Sequence, residues 1–245
     1  MSEPFKEPLV PAFPEAAVPR AGLRELQSDK SKVVRENTFG FGSGRTLLEM
    51  KAELAKRLAM CKVAKDYFYH LRDDYGVAVP NIDYAYGRSA GKNLVIYTIV
   101  DRITGVHFEE TRPLPTDLIP QVDLALAQLF KSFVDDYKAE RPMWSDFRAD
   151  QFVYGHKAGE TSDRLYIVDV EPALFYPAEA VVKVGNFQLL RTIDDWLWKV
   201  IYNLRVLASL FDPAAEFPQT WAVAEELRQI YNQRNPKNPI PEFSI

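Results

Sequence analysis

Two aspartates and a glutamine stand where oxygen chemistry could be done. Asp146 follows Trp144 in a polar turn, Gln151 comes five residues later, and Asp169 ends an apolar run. Between Gln151 and Asp169 lie two short apolar runs, 152–154 and 165–168. They flank a polar loop, 155–164, that contains Gly155 and Gly159. That is the pattern of a small β-hairpin. A hairpin returns the chain to its start, so Asp146, Gln151 and Asp169 are expected in one neighbourhood. Two carboxylates and an amide form a hard-oxygen site. It suits Mg²⁺, which takes one or two carboxylates and leaves positions for water and phosphate. The same letters also allow an ordinary hairpin, with Asp146 as a turn residue and Asp169 capping a strand end.

The elements around this stretch are predicted from periodicity. Residues 1–20 carry Pro4, Pro8, Pro11, Pro14 and Pro19, which exclude helix and central strand and leave a proline-rich arm. Residues 23–27 and 32–36 read as two strands around a polar turn. Gly40, Gly42 and Gly44 precede a helix start, but the spacing fails the phosphate-loop pattern and Arg45 replaces its lysine. The stretch reads as a connector, with anion binding at the helix start as the other option. Residues 46–75 form the longest helical pattern, with Leu47, Met50, Leu54, Leu58 and Cys61 on one stripe. Gly76 stops it. Residues 82–86 and 94–100 are predicted strands. A helix over 117–140 has Leu118, Val122, Leu126, Leu129, Phe133 and Tyr137 on its stripe. Residues 188–210 and 220–233 are the last predicted helices. Asp194 and Asp195 sit in the first turns of the former, where acids suit the dipole. Strands first and helices after suggest an α+β fold in two lobes.

The spacing from Asp146 to Gln151, followed by a strand that ends in Asp169-Val170-Glu171, resembles the catalytic core of protein-kinase-like phosphotransferases. The likeness is to the aminoglycoside-phosphotransferase and lipopolysaccharide-kinase branches. It extends over Tyr75-Gly76-Val77-Ala78-Val79-Pro80 and over the strand and interlobe hinge at 94–105. The resemblance implies a two-lobed fold with a reduced N-terminal β-rich lobe. A proline-rich arm is then expected at 1–20, a small nucleotide-binding lobe at 21–102 and a large helical catalytic lobe at 103–245. It implies ATP and Mg²⁺ as cofactors and phosphoryl transfer to a hydroxyl acceptor, such as a sugar or another small molecule. Asp146 then orients the acceptor hydroxyl, and Gln151 and Asp169 hold the metal. Arg35 takes the place of the strand lysine that reaches phosphate, with Lys32 as second choice. Glu53 pairs with Arg35, with Glu49 in reserve. Backbone groups from Val100 to Arg102 meet the adenine edge. Plainer readings stand beside these. Arg35 fits a solvent-facing strand charge, Glu53–Arg57 an i,i+4 helix pair, and 94–105 a buried strand followed by a loop.

Several positions depart from the family's pattern. Gln151 stands for asparagine, Arg35 for lysine and Trp144 for the usual histidine or tyrosine, and the glycine-rich lid is reduced. Arginine grips oxygens with a planar fork, unlike a lysine point charge. These departures also fit a catalytically inactive kinase-like protein with a binding or regulatory role. An unrelated α+β scaffold with an accidental motif is a third option.

Composition narrows the rest. A chain of 245 residues, 47% hydrophobic and 26% charged, has enough material for a real core. The net charge of −4 argues against a broad nucleic-acid surface. Cys61 is the sole cysteine, which rules out an intrachain disulfide and a thiolate zinc site. His70, His107 and His156 are scattered and give weak support to a histidine-based centre. The first twenty residues lack the basic start and apolar core of a secretory signal. No run reaches the ~18 apolar residues of a membrane span. A cytoplasmic protein with no nucleic-acid partner is expected. The acceptor and the oligomeric state leave no trace.

Overall fold

A computed structural model describes residues 9–11, 23–26, 28–39, 46–88, 94–108, 113–141, 143–144, 146–170, 175–176, 193–211 and 214–243. The glycine-rich segment at 40–45 and the helix start expected at 188–192 lie outside them. The architecture is mixed α+β.

The N-terminal part is a five-stranded antiparallel sheet in the order β1-β2-β3-β5-β4. It is built from β1 (Leu9–Pro11), β2 (Leu23–Leu26), β3 (Lys32–Phe39), β4 (Ile82–Arg88) and β5 (Leu94–Asp101). The β1 strand falls within the expected proline-rich arm. It takes the edge of the sheet, where a proline costs no ladder bond. The β5 strand runs between β3 and β4, and its Val95, Ile96, Tyr97 and Thr98 are buried. Its register on β3 runs from Lys32 opposite Asp101 to Phe39 opposite Leu94. Leu26, Val34, Val95 and Tyr97 form a small core on this sheet.

Helix α1 (Leu47–Tyr75) joins β3 to β4. Thr46 and Glu49 close a capping box at its start, and Gly76 ends it in the left-handed region at φ 71°. Full burial begins later than the stripe predicts. Met50, Leu54 and Leu58 are half-buried, whereas Cys61, Ala64, Phe68 and Leu71 are fully buried. Ala64, Phe68 and Leu71 belong to a second and larger core.

That core is organised by α2 (Ile119–Lys138), α3 (Ile193–Ala208) and α4 (Pro218–Arg234). A three-stranded antiparallel sheet accompanies them, β6 (Ile103–His107), β8 (Phe152–Lys157) and β9 (Arg164–Ile167), in the order β6-β8-β9. A two-stranded pair, β7 (Met143–Trp144) and β10 (Phe175–Tyr176), completes the sheets. The predicted hairpin is β8-β9, with Phe152 opposite Ile167. The end of the segment 94–105, expected as a strand and interlobe hinge, lies in β6, which pairs with β8 from Ile103–Lys157 to His107–Val153. Gly105 lies opposite Gly155, and a Cβ on either would run into the facing backbone. Aromatic edges fill the large core: Phe133 meets Trp196 at 5.2 Å, and Phe130 meets Phe147 at 5.6 Å, both near-perpendicular.

Candidate active site

The loop that carries Asp146 is held by the large core on both sides of that residue. Trp144 and Phe147 are fully buried, and Asp146 between them is half-buried. Trp144 packs edge-on against Phe68 and Phe152. Its amide donates to the Tyr67 hydroxyl oxygen at 3.1 Å. Its carbonyl accepts from Trp196 Nε1 at 2.9 Å, and the Phe147 carbonyl accepts from Asn203 Nδ2 at 2.6 Å. Trp144 is therefore a packing anchor beneath the loop.

The Asp146 carboxylate meets two cations. Arg148 Nε lies 3.1 Å from Oδ1, and Arg148 Nη2 donates to Oδ2 at 3.4 Å. Lys199 Nζ on α3 lies 3.8 Å from Oδ1. Arg148 also reaches Asp150 Oδ1 at 3.4 Å. Burial pushes the Asp146 carboxyl above the ordinary aspartate range. Arg148 and Lys199 oppose that shift, while Asp169 and Asp150 add to it. Asp169 is thus close enough for its charge to act on Asp146. Burial depresses the Lys199 ammonium, against the pull of Asp146.

A 3-10 turn, Ala149–Gln151, carries the loop into β8. Gln151 is 1% exposed. Its Nε2 donates to Asp150 Oδ1 at 3.2 Å, and its Oε1 is buried without a hydrogen-bond partner among the described residues. Its carbonyl accepts from the Val168 amide at 2.9 Å, which ties residue 151 to the residue before Asp169. The same segment is docked at two further points. The Ile167 amide donates to the Ala78 carbonyl at 3.0 Å, and the Tyr84 hydroxyl donates to the Val170 carbonyl at 2.7 Å. Asp169 Oδ2 accepts from Arg35 Nη1 at 2.6 Å, so β3 reaches the segment that follows β9.

The structure therefore gathers Asp146, Gln151, Asp169 and Arg35. It does not bring Glu53 to Arg35. Glu53 Oε1 accepts from Arg57 Nε at 2.5 Å, four residues along α1. An i,i+4 pair is assembled by the helix itself, with no long-range geometry to satisfy. Glu49 is engaged at the capping box. Lys32 sits at the far end of β3 and pairs with Asp101. At Val100 to Arg102, where the adenine contact is expected, the backbone is engaged in the sheet and its turns. Val100 lies between Val33 and Ile82 in the ladders of the sheet. The Asp101 amide donates to the Asn81 carbonyl at 3.3 Å, and the Arg102 amide to the Ser31 carbonyl at 2.7 Å. The Arg102 side chain pairs with Glu25. These backbone donors already have partners.

Arg148, Asp150 and Lys199 join the site unforeseen. The signal for Arg148 was its place two residues after Asp146. For Lys199 it was a lysine among the apolar residues Leu197, Val200, Ile201 and Leu204. No group of three or more His, Cys, Asp and Glu side chains is placed to hold a metal ion among the described residues. Nor is any described helix long and apolar enough to cross a membrane. No protein-family model matches this sequence, and no curated protein matches it.

Proposed function

We propose that this chain is an ATP-dependent phosphotransferase of the protein-kinase-like kind, acting on a hydroxyl of a sugar or another small molecule with Mg²⁺. In this reading the five-stranded sheet with α1 is the small lobe, the helices with the three-stranded sheet are the large lobe, and the chain passes between them near residue 102. The element order supports it, as does the small core of Leu26, Val34, Val95 and Tyr97 on the five-stranded sheet.

The observation that carries the reading is the meeting of Asp146, Gln151 and Asp169 with Arg35 from the sheet. The donor set fits a hard cation: Asp169 offers carboxylate oxygen, and Gln151 offers a buried amide oxygen with no hydrogen-bond partner among the described residues. Bound there, Mg²⁺ neutralises charge on the nucleotide phosphates. Asp146, held by α3 and Arg148, orients the acceptor hydroxyl and takes up its proton. Arg35 has a planar fork that grips phosphate oxygens once Asp169 is engaged by the metal. Most of the barrier reduction comes from positioning and charge, with acid–base help secondary.

Titration calorimetry of ATP with and without Mg²⁺ tests the reading. Metal-dependent binding is expected in the native protein and lost in Asp169→Ala. Equal binding with and without the metal, or none, removes it.

A second reading, a catalytically inactive kinase-like binding or regulatory protein, draws on specific contacts. Glu53 is spent on Arg57, Arg35 on Asp169, and the amides of residues 101 and 102 on the sheet and its turns. Nucleotide binding without phosphate transfer to any of a panel of hydroxyl acceptors supports it.

A further inference from the structure

Helix α3 meets the loop that carries Asp146 at three points along one face. Trp196 Nε1 donates to the Trp144 carbonyl at 2.9 Å and Asn203 Nδ2 donates to the Phe147 carbonyl at 2.6 Å. Between them Lys199 Nζ stands 3.8 Å from Asp146 Oδ1. Positions 196, 199 and 203 are three and four apart, so they share a face of the helix. Around them Leu197, Val200 and Leu204 are fully buried. An ammonium in such a setting costs desolvation unless a counter-charge compensates.

Arg148 touches the same carboxylate more closely, but it belongs to the same loop and divides itself between Asp146 and Asp150. A group that moves with the loop cannot fix the loop against the rest of the molecule. Lys199 is rooted in a separate helix of the large core, and it can.

We propose that Lys199 is a positioning residue for Asp146: it fixes the rotamer of that carboxylate and favours its ionised form, while Trp196 and Asn203 pin the backbone on either side. This rests on the reading of Asp146 as the group that orients the acceptor hydroxyl. Among the described residues, the charged groups that face Asp146 are Arg148 and Asp150 from its own segment, Lys199 from α3 and Asp169 from the segment after β9. Lys199 is the cation that α3 supplies to this set. Removing it leaves the loop pinned at two carbonyls, with its working carboxylate held by Arg148 of the same loop and no longer by α3.

The test uses the full-length chain with Lys199→Met, which keeps the length and apolar stem of the side chain, and Lys199→Arg, which restores the charge. Two readouts are taken. The first is the titration of the Asp146 carboxyl, followed by carbon-detected NMR and assigned with Asp146→Asn. It is expected to move upward in Lys199→Met and return toward the native value in Lys199→Arg. The second is steady-state phosphate transfer. In Lys199→Met, kcat is expected to fall by about 10²-fold, the cost of a misplaced reacting group, with KM for ATP unchanged.

An Asp146 titration that stays in place in folded Lys199→Met overturns the proposal. So does an unchanged kcat. A residue with only a packing role changes the melting temperature but leaves the titration of a neighbouring carboxyl alone. If the native protein transfers phosphate to no acceptor, the functional reading fails, and the NMR readout still decides the place of Lys199. Should Lys199→Met not fold, Lys199→Gln keeps a polar head without the charge and carries the same readouts.

Discussion

Gln151 shows most directly what a side chain gives up to sit in this site. Its amide nitrogen is bonded to Asp150, but its oxygen is buried with no hydrogen-bond partner among the described residues. An unsatisfied buried acceptor costs about 1–3 kcal/mol, and such costs concentrate at working positions. Gln151→Met removes the orphaned oxygen and nearly preserves volume. We expect the melting temperature to hold or rise while Mg²⁺-dependent ATP affinity falls at least tenfold. A variant that binds metal–nucleotide normally would falsify the role of the amide. Asp146 gives a second prediction. In the proposed reaction it works when ionised, so activity is expected above its pKa and expected to be lost as pH falls through it. Burial, reinforced by Asp169 and Asp150, holds that pKa above the ordinary aspartate value of about 3.9. The acid limb of kcat/KM, which reports the free enzyme, should therefore lie above that value. A limb at the ordinary value speaks against Asp146 as the titrating group. Legibility at this scale was uneven for a physical reason. Asp146, Gln151 and Asp169 are joined by a hairpin, whose geometry is fixed by alternation and loop length, so their meeting could be read. The partner of Arg35 lies 134 residues away. It is set by how β3 comes to lie beside the segment that follows β9, which no local spacing encodes.

At the scale of elements, β6 is the longest strand that the sequence reading missed, beside the shorter β1, β7 and β10. Gly105 inside 103–107 looked like the end of a strand and the start of a hinge. A glycine within a strand also marks a place where another backbone comes close, and here Gly155 lies directly opposite. A Cβ at residue 155 would collide with the Thr104 carbonyl, and one at residue 105 with the Tyr154 carbonyl. Backbone cannot turn aside as a side chain can. Gly105→Ala and Gly155→Ala should each cost about 2–3 kcal/mol, the upper part of the range for overpacking, visible as a drop in the denaturation midpoint. Wild-type stability in either would show that the strands separate freely. The start of α4 makes a second case. Asp123, buried on α2, accepts from the Gln219 and Thr220 amides at 3.0 and 2.9 Å and from the Thr220 hydroxyl at 2.7 Å. A carboxylate from one helix thus caps another, where the exposed N–H groups and the dipole favour negative charge. Asp123→Ala leaves the buried Thr220 amide and the part-buried Gln219 amide unpaired and should cost about 3 kcal/mol. The helices were legible from their apolar period, but this cap was not, because it comes from 96 residues earlier rather than from the position before the helix.

Across the whole molecule, the N-terminal elements and the helical part share polar links close to the site. Arg35 bonds Asp169, Tyr84 bonds the Val170 carbonyl, and Ala78 bridges Tyr166. All three converge on residues 166–170, so whatever binds Asp169 acts on the joint between the two parts. Among the described residues, three cations, Arg35, Arg148 and Lys199, pair with three carboxylates, Asp146, Asp150 and Asp169. A divalent cation alone would meet Arg35 at Asp169 as a competitor. Metal with a polyphosphate is different, because the phosphate oxygens give Arg35 a new partner as the metal takes the carboxylate. Binding should therefore be cooperative between metal and nucleotide, with each weak alone. At 100 times the dissociation constant, a ligand specific to the folded state adds about 2.7 kcal/mol. In a chain of this size, that is a rise in melting temperature of about 5–10 °C. Mg²⁺ with ATP should produce that shift in the native protein, whereas Mg²⁺ or ATP alone should produce little. Arg35→Met should respond in a distinct way: Mg²⁺ alone now stabilises it, because the competitor at Asp169 is gone, while the added effect of ATP shrinks. If ATP alone shifts the native protein as far as the pair does, the metal has no part at residue 169 and the coupling through Arg35 is wrong.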